Sequence, residues 1–164
     1  MYKRAVVTLD GSPVAEAIIP FILEIAGPLD MEVVLVRVNR PIPAEVIEGS
    51  RHVIVEDPET SRADAEEYLA PVAVELRGKG VRVRTQVRRG QPAEEIVLAA
   101  REIGADLIAM TTHGRSGLGR LLFGSVAEAV LRESRLPVFL LRVTEAQVAA
   151  RAAQVASAEG SDDV

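Results

Sequence analysis

The residues best suited to chemistry follow a short apolar run in the last third of this chain. Nine residues separate Thr111-Thr112-His113-Gly114 from Gly124-Ser125. The strand-like run Asp106–Met110 precedes this segment, and a helical pattern over Val126–Arg132 follows it. A glycine-bearing loop between a strand and a helix can gather backbone N–H groups around phosphate oxygens, and the helix N-terminus adds positive charge. The spacing therefore indicates a candidate anion site.

The charge of this loop also favours an anion. It contains Arg115 and Arg120 and no acidic residue, in a chain whose net charge is −5. The alternative is structural, because Ser125 and Glu128 match a capping box and glycines suit a turn. The residues alone leave both interpretations open.

Asp10 follows the first apolar run and has two interpretations as well. Its carboxylate could accept hydrogen bonds from an adenine or a ribose, or it could stabilise the start of the next helix through the Asp-Gly-Ser turn. No Ser-His-Asp arrangement, two-histidine metal spacing, Walker loop or Rossmann glycine pattern is present. We therefore expect at most slow hydrolysis of any bound nucleotide, since no general base is evident.

Composition excludes several classes of protein. The 164 residues suit one domain, and the absence of cysteine rules out disulfides and thiol catalysis. The net charge of −5 and the lack of aromatics beside the arginines of 82–89 argue against nucleic-acid binding. No signal peptide and no apolar run of about 18 residues is evident, so we expect no membrane association and a cytoplasmic location.

Hydrophobic periodicity predicts alternating strands and helices. The predicted strands are Arg4–Leu9, Glu32–Val38, Val81–Arg88, Asp106–Met110 and Leu136–Val143. The predicted helices are Pro13–Ala26 with a kink at Pro20, Glu59–Lys79, Ala93–Ile103 and Ser125–Ser134. This order predicts a single α/β domain over residues 1–143, with a doubly wound five-stranded parallel sheet and helices on both faces. Ligands of such sheets bind beyond the carboxyl ends of the strands.

Two segments fall outside this pattern. The composition of residues 39–58 predicts a long loop. Such a loop is either functional, as a lid or a surface for a protein partner, or a mobile connector. Residues 144–164 are rich in alanine and predict a C-terminal tail, either a marginal helix to about Ala156 or disordered, with no core function.

The segment Ala105–Arg132 resembles the universal stress protein family. The segments Val7–Gly11, Gly90–Ile96 and Pro137–Arg142 are similar to the first turn, third helix and closing strand of that family. The resemblance covers about residues 2–143. It implies the strand order 3-2-1-4-5 and a homodimer that pairs its last strands, here residues 137–143.

The resemblance also implies an ATP site. The nucleotide-binding branch of the family carries a Gly-x2-Gly-x9-Gly-Ser/Thr loop, and Thr111 replaces its first glycine here. A proline often found before the first-turn aspartate is Thr8 in this chain, Asp10 and Val38 would face adenine, and Arg115 would add charge near the phosphates. The implied site residues are Thr8, Asp10, Val38, Met110, Thr111, Gly114, Arg115, Gly124, Ser125 and Val126.

Three functions remain open on this basis. The first is an ATP-binding stress-response protein, with ATP bound alone or with Mg²⁺. The second is a dimeric interaction protein without nucleotide, which the threonine at 111 favours. The third is a binder of AMP or cyclic AMP, if Thr111 blocks the outer phosphates.

Overall fold

A computed structural model describes residues 1–41, 58–113 and 124–159 of the chain. Strands and helices alternate along it. The strands are β1 (Arg4–Thr8), β2 (Glu32–Asn39), β3 (Val83–Arg89), β4 (Leu107–His113) and β5 (Val138–Val143). The helices are α1 (Pro13–Glu16), α2 (Ile19–Ala26), α3 (Pro58–Gly78), α4 (Pro92–Glu102), α5 (Ser125–Glu133) and α6 (Glu145–Glu159).

The five strands form one parallel sheet in the order β3-β2-β1-β4-β5. The predicted fold class and strand order are therefore confirmed. In the centre of the sheet, Val6 pairs with Val34 on one side and with Ile108 on the other. These strands are almost continuously apolar because both of their faces are covered, as is usual for parallel sheets.

Two apolar cores cover the two faces of the sheet. Side chains of β1, β2 and β4 that point to one face form one core with those of α1, α2 and α3, which includes Val7 and Leu69. The alternate side chains pack with α4 and α5 on the other face, for example Ile108 with Val130. The direction of the connections reverses between β1 and β4, so a crevice opens there at the carboxyl edge of the sheet.

The structure differs from the predicted helix boundaries at Pro20. One kinked helix was predicted, but the backbone forms two helices, α1 and α2, with Ala17 and Ile18 between them. Pro20 lies in the first turn of α2, where its missing N–H is tolerated and its ring prevents continuation from α1.

The fourth strand is longer than predicted. It continues through Thr111 and Thr112 to His113, because these residues pair with Leu141, Arg142 and Val143 of β5. Thr111 is thus a strand residue rather than the first residue of the loop.

Residues 145–159 form the helix α6, which packs on α1. Among the described residues, Arg151 of this helix is the only buried charged one, and the alanine-rich composition did not indicate such a tertiary role. Within the described ranges, no helix is both long and apolar enough to cross a membrane.

Candidate functional site

A cavity of about 490 Å³ opens at the carboxyl edge of the sheet, where β1, β2 and β4 end. Its size is within the range of small-molecule sites, roughly 300–1,000 Å³. The floor comes from strand ends, and the N-terminal parts of α1, α4 and α5 form the walls. The described residues that line it are Thr8, Leu9, Asp10, Ala15, Val36, Val38, Arg40, Pro92, Ile96, Met110, Thr111, Thr112, Gly124, Ser125, Val126 and Ala127.

The turn after β1 brings Asp10 to the cavity. One oxygen of Asp10, Oδ1, accepts a hydrogen bond of 2.9 Å from the backbone N–H of Ser12. Ser12 is the N-cap of α1, and its Oγ accepts from the N–H of Ala15 at 3.1 Å. Asp10 therefore has a structural role in the turn, and the exposed carboxylate also lies at the cavity. Asp10 thus lies in the turn, as the structural interpretation predicts, and at the cavity, where its contact with a nucleotide stays a prediction.

The end of β4 supplies the wall nearest β5. Met110 is buried and Thr111 is partly buried. Thr112 is only 4% exposed, and its Oγ1 makes no hydrogen bond with the part of the chain that is described. Sequence reasoning did not single out Thr112, because the burial of its hydroxyl follows from the extended strand.

The N-terminus of α5 faces the cavity without a side-chain cap. Gly124 is the N-cap residue, with φ of 78° and ψ of 151°, and Ser125 is the first helical residue. The capping-box interpretation of Ser125 was therefore wrong, because the cap lies one residue earlier and has no side chain. The first N–H groups of a helix have no acceptor within it, and within the described part of the chain no side chain caps those of α5, which lie beside the cavity.

Two charged residues, Asp10 and Arg40, are among the described residues of the cavity lining. Arg40 directly follows β2 and is exposed. The sequence offered a signal for it, since it follows Val38 by two residues at a strand end, but the prediction stopped at Val38. The arginine gives the cavity a positive group apart from the predicted loop.

A network of polar side chains supports the turn that carries Asp10. Tyr68 of α3 donates a hydrogen bond of 2.9 Å from its hydroxyl to Oε1 of Glu16 in α1. Burial, the charge of Glu16 and this hydrogen bond raise the pKa of Tyr68 well above the usual value of a phenol. The guanidinium carbon of Arg37 lies 4.9 Å from the centre of the Tyr68 ring.

The far end of β2 is joined to the start of α3. The Asn39 side-chain amide donates to the carbonyl oxygen of Ser61 at 2.7 Å and to its Oγ at 3.0 Å. This contact fixes the two ends of the segment 42–57, which itself lies outside the described residues, as does most of the predicted partner surface 39–58.

Eight of the ten predicted site residues line the cavity, namely Thr8, Asp10, Val38, Met110, Thr111, Gly124, Ser125 and Val126. The other two, Gly114 and Arg115, lie outside the described residues. The predicted site residues thus come from four separate segments of sequence, and the fold places all the described ones around one cavity.

The chain belongs to the universal stress protein family, whose family model matches residues 1–142. It is 35% identical over 144 residues to the universal stress protein MJ0531 of Methanocaldococcus jannaschii, which covers 87% of this chain and 83% of that protein. The family predicted from the segment around Gly114 is therefore confirmed.

Solved structures share the fold. The structure of MJ0577, described as a test case for assigning biochemical function, superposes with a TM-score of 0.70 at 28% identity and covers 88% of this chain and 99% of that one. Two universal stress proteins solved as complexes are similar, each at 23% identity. The complex with cAMP has a TM-score of 0.65 and covers 87% of this chain and 98% of that one. The Archaeoglobus fulgidus complex with dAMP has a TM-score of 0.62 and covers 86% of this chain and 98% of that one.

Proposed function

We propose that this protein binds ATP in the cavity at the carboxyl ends of β1, β2 and β4, as a member of the nucleotide-binding branch of its family. The observation that carries the proposal is the convergence of eight predicted nucleotide contacts on that cavity. All eight are residues that the resemblance to the family implies as nucleotide contacts.

The chemistry of the cavity suits the parts of a nucleotide. Val36, Val38 and Ile96 offer an apolar surface for a base, and Asp10 offers hydrogen-bond acceptors beside it. On the opposite wall, the uncapped N-terminus of α5 suits a phosphate, because its N–H groups and dipole both attract negative charge. Gly114 and Arg115 would complete the phosphate side, and Mg²⁺ would accompany the phosphates if it is bound.

The proposed role is regulatory rather than catalytic. No described residue of the lining is a histidine or glutamate, and the Oδ1 of Asp10 already accepts from Ser12. We therefore expect hydrolysis of ATP to be slow at most. Binding would couple the nucleotide to a stress response in the cytoplasm.

We also propose a homodimer that pairs its last strands, residues 137–143. β5 is an edge strand, and its residues from Val138 to Leu141 are partly exposed although all four are apolar. Pairing of two such edges would satisfy backbone groups and cover apolar side chains. Sedimentation analysis should give a dimer, and a charged substitution such as Leu140→Lys should shift it towards a monomer.

A monophosphate is the second candidate ligand, because of Thr111. Its side chain stands where the ATP-binding pattern has glycine, and it lines the cavity. The ligands named for two structural neighbours, cAMP and dAMP, are adenine monophosphates. An interaction protein without nucleotide is the remaining alternative.

One experiment separates these functions. The purified protein is denatured, and any released nucleotide is identified by chromatography. ATP supports the proposal, and AMP or cyclic AMP supports the second candidate. Repeated absence of nucleotide, together with no binding on titration, would support the interaction protein and refute both.

A further inference from the structure

The C-terminal helix α6 is attached to the helices beside the site by one buried arginine. Arg151 is 3% exposed. Its two terminal nitrogens each lie 2.7 Å from an oxygen of Glu75 in α3. Its Nε forms an ion pair with Glu16 in α1, 3.4 Å from Oε2, without a hydrogen bond among the described residues. Burial opposes the charged form, but the hydrogen bonds and charge of Glu75 raise the pKa of Arg151. The arginine is therefore a fixed cation that joins three helices.

Glu16 transmits this attachment to the site. It is the last residue of α1, a helix of only four residues, whose Ala15 lines the cavity. A single helical turn is not stable by itself, because it orders several residues for one hydrogen bond. The position of α1 therefore depends on tertiary contacts, and Glu16 supplies two of them, with Arg151 and with Tyr68.

Tyr68 contacts the other side of the same turn through Arg37. The Arg37 guanidinium lies over the Tyr68 ring, and it also lies against Gly11, where an added Cβ would be 3.2 Å from Nη1. Gly11 directly follows Asp10. Arg151, Glu16, Tyr68 and Arg37 thus form a continuous chain of contacts that ends on the turn facing the cavity.

We infer that Arg151 is a positioning residue for the ligand site, which holds α1 and the Asp10 turn in place from the C-terminal helix. This inference rests on the proposed function for its effect on ligand binding. Arg151 lies beyond residues 1–142, the segment that matches the family model. The site of this protein is therefore supported by a part of the chain outside the family segment.

The test compares Arg151→Met with the wild-type full chain. Methionine keeps a long apolar side chain but removes the charge and the forked hydrogen bonds. Amide hydrogen exchange, measured without nucleotide, should become at least about threefold faster in residues 10–17, while α4 and α5 stay unchanged. The Kd for ATP should rise by at most the same factor, because only the ordered form binds. Arg101→Met, which changes an exposed arginine at the far end of α4, is the matched control and should change neither quantity.

Two further variants keep the test decisive. Arg151→Lys retains the charge without the fork and should give intermediate values. If Arg151→Met does not fold, Glu16→Gln replaces it and should speed exchange in the same turn. A folded Arg151→Met protein with wild-type exchange over residues 10–17 would overturn the inference. If the wild type binds no ATP, the proposed function fails, and the exchange result still decides whether Arg151 holds the turn.

Discussion

Substitution of Gly124 by valine should remove nucleotide binding and leave the protein folded. The backbone of Gly124 has φ of 78° and ψ of 151°. Residues other than glycine rarely adopt this backbone conformation, which costs them about 1–3 kcal/mol. Among the described residues, nothing lies within 4 Å of a Cβ added at Gly124, so contact with that part of the chain adds no further penalty.

This cost is small compared with the stability of a domain, which is about 5–15 kcal/mol. For a protein of this size, 1 kcal/mol lowers the melting temperature by roughly 2–4 °C. The expected decrease is therefore about 2–12 °C. Ligand binding should be lost for another reason: the valine side chain lies at the cavity, beside the first N–H groups of α5.

Gly80→Val is the matched control. Gly80 has φ of 83°, and an added Cβ there also meets nothing within 4 Å, but it lies between α3 and β3 and does not line the cavity. Calorimetric titration with ATP should show binding by Gly80→Val and none by Gly124→Val, with similar decreases in melting temperature. Wild-type affinity in Gly124→Val would refute the placement of the phosphates at α5.

Three other substitutions test separate parts of the structure. Thr112→Val should raise the melting temperature by roughly 2–4 °C, because it removes a buried hydroxyl that has no described partner and leaves the shape unchanged; a lower melting temperature would show that the hydroxyl is bonded. Thr111→Gly should leave the ratio of the Kd values for ATP and AMP within about twofold of wild type and cost roughly 0.5–1 kcal/mol of strand stability; a large gain for ATP alone would favour the monophosphate as the natural ligand. Glu32→Gln should cost up to about 1 kcal/mol at neutral pH, and this cost should shrink as the pH falls below the ordinary carboxyl range, in denaturant titrations; a cost that does not change with pH would contradict the ion pairs.

The sign of the Glu32 prediction follows from its pKa. Burial raises this pKa, but the hydrogen bonds and charges of Arg4 and Arg84 outweigh it and lower the pKa below the ordinary value of 4.5. A carboxyl with a lowered folded-state pKa stabilises the protein above its unfolded-state pKa, and this contribution is lost as the pH falls through the folded-state value. Wild type and variant should therefore differ least in acid.

Local sequence pattern was sufficient to predict the five strands of a parallel sheet, whereas their order followed from the family resemblance. Each strand is a run of apolar or alternating residues bounded by glycine, proline or a charged turn, and such a local pattern indicates a strand without knowledge of tertiary contacts. The alternation from Val81 to Arg88 suits an edge or half-covered position, and β3 lies at the edge of the sheet. Boundaries were less predictable, since Thr111 to His113 joined β4 only through pairing with β5.

Tertiary contacts account for what the sequence did not reveal. The role of Arg151 depends on Glu16 and Glu75, which are far from it in sequence and have no pattern in common with it. Arg40 lines the cavity because the end of β2 lies beside the ends of β1 and β4, an arrangement that its position at a strand end only suggested. The position of Ser125 in the first turn of α5, rather than at the cap, follows from a backbone conformation at Gly124 that composition cannot specify.

The central claim is that the cavity between Asp10 and Gly124 binds ATP. Calorimetric titration of the wild-type protein, freed of bound nucleotide, with ATP tests it most directly. We predict saturable binding of one ATP per chain. The Asp10→Ala substitution should reduce the affinity for ATP at least tenfold. No heat of binding with ATP from a folded, nucleotide-free protein would contradict the account.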